Sequence, residues 1–199
     1  METETKNTVP MWLAVAITVV ISLPFGLWLK EWNVPLWAAF IVWAEYFVLG
    51  GKPAGLKIMV PAYILGVIGA VLVLIVMVAF GKTSLGDIQL VTAGDVSIAL
   101  AFLVAFCVLI YAMKFMPVTG GAGTLPFFNG ISMGLATFFV GIYFTYGGLK
   151  VDDLIVPIVT GIPAILAGLL GAFLGWFNVT ILFPRAVTKT ASGRQPAHV

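Results

Sequence analysis

The chain has one cysteine, Cys107, and one histidine, His198, among 199 residues. A lone thiol makes no intrachain disulfide, and no zinc or iron–sulfur site can be built on paired thiolates. Charge is also scarce: Asp, Glu, Lys and Arg are 9% of the residues, against about 25% in a soluble domain. The formal net charge is +2, but the basic residues are spread over short connections and a tail. That pattern does not fit a nucleic-acid surface. His198 sits in a polar tail, no nucleophile–base pair is visible, and Asp152-Asp153 alone makes no active site, so neither catalytic residues nor metal ligands are expected. The glycine-rich stretch Thr119-Gly-Gly-Ala-Gly-Thr124 lacks the lysine of a phosphate-binding loop and reads as a hinge, a re-entrant turn or a plain loop. Nothing calls for a cofactor.

What is abundant is apolar. Hydrophobic residues make up 61% of the chain and the mean hydropathy is +1.13, the signature of an integral membrane protein. A hydrocarbon core of about 30 Å takes about 20 apolar residues per helix, which gives about six spans. Their limits are 11 to 29, 34 to 50, 58 to 80, 96 to 113, 125 to 146 and 155 to 182. They read as helices, because unpaired backbone amides cannot face lipid and no alternating barrel pattern is present. Residues 1–10 form an N-terminus with no cleavable signal, 11–182 a single membrane domain, and 183–199 a polar, disordered tail. Lys6, Lys52, Lys57, Lys114, Arg185, Lys189 and Arg194 share one side, and Lys30, Lys82 and Lys150 lie opposite with most of the acids. The positive-inside rule then puts both termini in the cytoplasm of a multi-pass inner-membrane protein. Trp12, Trp28, Trp32, Trp37 and Trp176 fall near span ends, where interfacial anchors belong.

The motif PAYILGVIGAVL at Pro61 to Leu72 returns as PAILAGLLGAFL at Pro163 to Leu174. Upstream, Pro35, Ala44-Glu-Tyr-Phe47 and Gly50-Gly51 are matched by Pro126, Ala136-Thr-Phe-Phe139 and Gly147-Gly148. Halves at about 11–80 and 96–182, three spans apart, must be inverted, the plan of many transporters. The expected fold class is therefore an all-α membrane protein of two inverted three-helix repeats. Gly66, Gly69, Gly168 and Gly171 mark helix-packing seams, either within the chain or between copies, with internal packing favoured. Pro61 and Pro163 shape their helices if they lie inside them, whereas Pro35, Pro126 and Pro157 suit first turns.

Glu45 is the only acid inside a span, and an intramembrane carboxylate is by default a functional hypothesis. Two plainer readings stand beside it: a side chain reaching Lys52 or Lys57 at the interface, or a protonated, hydrogen-bonded structural acid. Asn129, Ser132 and Thr137 form a second polar group, with Thr137 opposite Glu45 in the repeat; helix–helix hydrogen bonding explains each of these singly. Asn178-Val-Thr180 is set aside as a glycosylation sequon, since it lies at a span end. The segments Trp37-Ala-Ala-Phe40, Ala44-Glu-Tyr-Phe47, Gly50-Gly51, Phe128-Asn-Gly130 and Ala136-Thr-Phe138 resemble the YcdZ-like family of small bacterial inner-membrane proteins. The resemblance runs from span two onward. It implies a bacterial inner membrane and a bundle of this size, and no activity; Glu45 stands where it implies an uncharged residue.

The functional expectation is a small-solute channel or secondary transporter, with a cavity between spans two and five lined by Glu45, Tyr46, Asn129 and Thr137. Aromatic neighbours suit a cation or a polar neutral solute. The expected partners are the bilayer, that solute and further copies in a homo-oligomer. The rival is a non-transporting subunit or scaffold that anchors another protein, favoured by the thin supply of polar residues in the spans.

Overall fold

The computed structural model describes residues 3–92, 94–142 and 152–188. The six main helices are α1 (Met11–Leu27), α2 (Leu36–Val48), α3 (Pro53–Gly81), α4 (Asp95–Ala112), α5 (Thr124–Val140) and α6 (Val156–Ile181). A short antiparallel ribbon pairs β1 (Thr3–Asn7) with β2 (Pro184–Thr188). Among the described residues, four segments are by themselves long and apolar enough to cross a membrane: Pro53–Gly81, Asp95–Phe115, Gly121–Val140 and Val156–Ile181.

The first two expected spans take a different form. Together α1 and α2 pass the same test of length and composition, but they are bent by 119° at their break. At 13 residues, α2 rises only about 20 Å at 1.5 Å per residue. The break is a built turn. Residues Lys30–Trp32 form a 3-10 turn, Lys30 takes a positive φ of 55°, Val34 N–H donates to Phe25 O at 2.8 Å, and Leu29 N–H donates to Asn33 Oδ1 at 2.9 Å. Pro35 then starts α2.

Two further boundaries differ from expectation. Helix α5 stops at Val140 instead of running to 146, because Gly141 adopts φ +74° and its N–H turns back to Phe138 O. A glycine in the left-handed region is the standard device for ending a helix. The tail is not wholly without structure, since residues 184–188 find backbone partners in residues 3–7. Gly147-Gly148, Lys150 and residues 189–199 lie outside the described residues.

The bundle is held by helices that touch backbone to backbone at glycine. A Cβ on Gly66 would stand 2.0 Å from Phe127 O and 3.0 Å from the Cα of Gly130, and one on Gly134 2.6 Å from the Cβ of Ala70. Helices α3 and α5 therefore run parallel. Likewise Gly171 sits against Ala39 and Val42, and Gly175 against Tyr46, so α6 and α2 run parallel. Gly168 lies under the ring of Tyr63 and Gly161 under Val71, which sets α3 antiparallel to α6. Gly69 faces Leu109 of α4. All these glycines make internal contacts. Pro61 and Pro163 lie inside α3 and α6 and remove the bonds to the carbonyls of Lys57 and Val159. Pro157 is in the first turn of α6, and Pro126 in that of α5. The chain ends meet at one end of the bundle, where Thr8 N–H donates to Leu182 O at 3.0 Å.

Gly66→Ala is expected to lower stability by about 1–3 kcal/mol, since the neighbouring backbone has to move away. Gly81→Ala, with nothing within 4 Å of its added Cβ, is the control. Thermal melting in detergent reads both, and equal melting temperatures would refute the seat.

Candidate functional site

Glu45 lies in the third turn of α2 and is 2% exposed. One carboxylate oxygen, Oε1, accepts a hydrogen bond from Nδ2 of Asn129 on α5. The other, Oε2, is buried without a partner. Asn129 is half-buried and immediately precedes Gly130, whose added Cβ would stand 2.1 Å from Tyr63 O. The seat of α5 on α3 thus fixes the amide that meets the acid. From the other side, α2 is held against α6 at Gly171 and Gly175.

The described ion pairs join Lys82 to Asp152 and Asp153, at 3.8 and 3.9 Å, on the far side of the bundle from Lys52 and Lys57. Glu45 therefore makes its contact with Asn129 and not with an interfacial lysine. A single neutral amide does not balance an ionised carboxylate away from water. Among the described residues, no group of three His, Cys, Asp or Glu side chains is placed to hold a metal ion.

The other expected lining residues are placed differently. Tyr46 is 1% exposed and faces α6, with its Cβ and ring against Gly175 and its hydroxyl unpartnered. Thr137 lies about two turns beyond Asn129. Its hydroxyl donates within α5 to Gly134 O at 2.9 Å and Met133 O at 3.0 Å, and lies 3.2 Å from Thr160 O of α6. It is a satisfied helix-packing group and does not join Glu45. Ser132 is exposed and bonds Phe128 O at 3.0 Å. Of the four expected lining residues, the structure brings together Glu45 and Asn129.

Sequence reasoning missed several groups. Trp43, 7% exposed, has an unpartnered indole N–H. Tyr63 donates to Ala164 O at 3.0 Å and ties α3 to α6. Asn178 is fully buried on α6 and donates to Thr18 Oγ1 of α1 at 3.1 Å, while Thr18 donates to Ala14 O at 2.8 Å. The available signal was an asparagine in an otherwise apolar run, a polarity that lipid would not accept. The expected interfacial tryptophans Trp12, Trp28, Trp32, Trp37 and Trp176 are all exposed.

Comparison of the chain with protein-family models, with curated proteins and with solved structures gives no match.

Replacing Asn129 with Leu should strand the carboxylate and lower stability by about 1–3 kcal/mol. The double variant Glu45→Leu/Asn129→Leu should recover much of that loss, because both partners are gone. Additive losses in a melting-temperature cycle would show that the pair does not interact.

Proposed function

We propose that the chain is a small-solute channel or secondary transporter of the bacterial inner membrane, with its site between α2 and α5 at Glu45. The observation that carries this reading is the Glu45–Asn129 pair. It joins helices from the two halves of the chain and leaves one buried carboxylate oxygen open. An acid kept inside a membrane bundle has to be supported against a large desolvation penalty, and solute or proton handling is the usual reason for it.

The inverted-repeat plan is supported by the packing directions. Within the plan α3 corresponds to α6 and α5 to α2, and α3 runs parallel to α5 as α6 does to α2, while α3 and α6 oppose each other. Both chain ends meet at one face, which favours an even number of crossings. Counting α1 and α2 as one bent crossing would give an odd number, so the pair is better read as a hairpin that enters and returns. Its turn carries exposed Lys30 and Glu31 between exposed Trp28 and Trp32. A lysine at the bilayer centre costs about 2.5–3.5 kcal/mol or more, so this tip belongs in the opposite interface. Residues 33–35 supply about 10 Å of further reach at roughly 3.3 Å per residue. Six crossings result, with Lys52, Lys57 and Lys114 on the cytoplasmic face beside the termini.

In proteoliposomes loaded in turn with urea, ammonium, small amines and small carboxylates, at least one solute should cross faster than in empty vesicles. Glu45→Gln should reduce that rate by roughly tenfold, the equivalent of one charge-assisted hydrogen bond. An intact protein that moves none of them would overturn the transport reading. Orientation has its own check. In a Cys107→Ser background, a thiol from Glu31→Cys should react with an impermeant reagent added outside the cell, and one from Thr8→Cys should not; the reverse pattern refutes the topology.

A further inference from the structure

Among the described residues, the buried polar side chains Thr18, Ser22, Ser97, Thr119, Thr137, Thr160 and Asn178 are neutral, and Glu45 is the one that carries a carboxyl group. The elements packed around it offer nothing to neutralise a charge there. Helices α1, α5 and α6 contain no titratable side chain. On α3, Tyr63 is near enough to Glu45 to interact with it electrostatically, but the phenol is uncharged and donates its O–H to Ala164 O. On α2 itself, Tyr46 is turned to Gly175. Lys52 and Lys57 are exposed.

These surroundings suit a proton and not a larger cation. Glu45 is 2% exposed and lines none of the described cavities, which lie between α3 and α4, between α3 and α6, and beside Lys82. A hard divalent cation takes about six or more oxygen ligands, and any cation at Oε1 would meet the Nδ2 donor of Asn129. A proton needs neither a cavity nor a set of ligands. It turns Oε2, buried and without a partner, into the O–H of a neutral carboxyl group, which is far less costly to bury than an ion. An amide presents both a donor and an acceptor, so Asn129 is able to bond either protonation state.

A purely structural acid accounts less well for this position. Glutamine would offer Asn129 the same acceptor with no charge to desolvate, so what glutamate adds is the ability to lose a proton. Water is also near, since about 8 Å along the helix axis separates Glu45 from Gly50. There α2 ends in Gly50 and Gly51, at φ +88° and +63°. Among the described residues, Glu45–Asn129 is the side-chain hydrogen bond that joins α2 to α5, so parting the two helices uncovers the acid. Resting on the transport reading above, we propose that the ion handled at this site is a proton, held on Glu45 while α2 and α5 are joined and released to water when they part. The O–H bond at Oε2 then breaks with its electron pair left on the carboxylate, and the proton leaves on a water molecule. Closing the seam reverses the step and couples it to passage of the solute.

The test uses the full-length protein. In detergent, infrared difference spectra across a pH series should show a protonated-carboxyl band that is lost as the pH rises. Glu45→Gln, which keeps an acceptor for Asn129, should lack the band; Asn129→Leu, which leaves the acid in place, should displace it. In proteoliposomes, a pH step of one unit should drive one of urea, methylammonium or acetate uphill by up to about tenfold beyond empty vesicles, the limit for one proton per solute. Glu45→Gln should lose this accumulation and pass the solute downhill only. Downhill flux in the wild type that no pH step drives uphill overturns the proton and leaves transport standing. A titrating Glu45 band with no flux of any solute supports the proton site and overturns transport. A wild-type spectrum with no band assignable to Glu45, or a Glu45 band that persists at every pH at which the protein stays folded, overturns the proposal.

Discussion

The bundle depends on a few places where one helix backbone rests on another without side chains between them. Gly66 against Gly130 sets the depth and rotation of α5 on α3, and Gly171 and Gly175 do the same for α2 on α6. In lipid there is no hydrophobic gain from merely pressing two apolar helices together, so close van der Waals contact at small residues decides the geometry. The consequences reach the candidate site directly. Asn129 is the neighbour of Gly130, and Glu45 the neighbour of the residue seated on Gly175. Tyr63, also on α3, reaches across to the carbonyl of Ala164 and locks the third side of the same frame.

Within that frame the polar residues divide by whether their own helix can satisfy them. A threonine or serine bonds back to a carbonyl three or four residues earlier, so it can be buried anywhere on a membrane helix at little expense. Carboxylate, amide carbonyl, phenol and indole groups have no such local partner. Tyr63 finds its partner on another helix, at Ala164 O of α6, whereas Trp43 Nε1, Glu45 Oε2, Tyr46 OH and Asn178 Oδ1 are buried without one among the described residues. The same distinction explains why Thr137, which matches Glu45 in the repeat, is a packing residue and Asn129, which does not, is its partner.

Much of the architecture was legible from one physical requirement, that a backbone in hydrocarbon must satisfy itself. That requirement and the apolar runs led to six helices, most with ends close to those found. Chain chemistry also suited Pro126 and Pro157 to first turns, while whether Pro61 and Pro163 lay inside their helices was open until the helix starts at Pro53 and Val156 were known. Gly66, Gly168 and Gly171 were readable as seams because lipid-embedded helices need small residues where they touch. The sharp turn after α1 was less legible, since Lys30 and Asn33 look in sequence like any short connection. The pairing of residues 3–7 with 184–188 could not be anticipated, because it joins the two ends of the chain through backbone bonds that leave no mark in composition.

Sequence by itself determined that this is a helical membrane protein, that Glu45 is an isolated acid inside it, and that Asn129 is among the few groups able to meet it. The tertiary structure decided which of them do meet, joining Glu45 to Asn129 and turning Tyr46 toward α6. The reason is that helices apolar on every side carry no periodic signal of which face is inward. In water the polar face announces itself; in lipid, rotation about the helix axis is set only when the glycines find their seats.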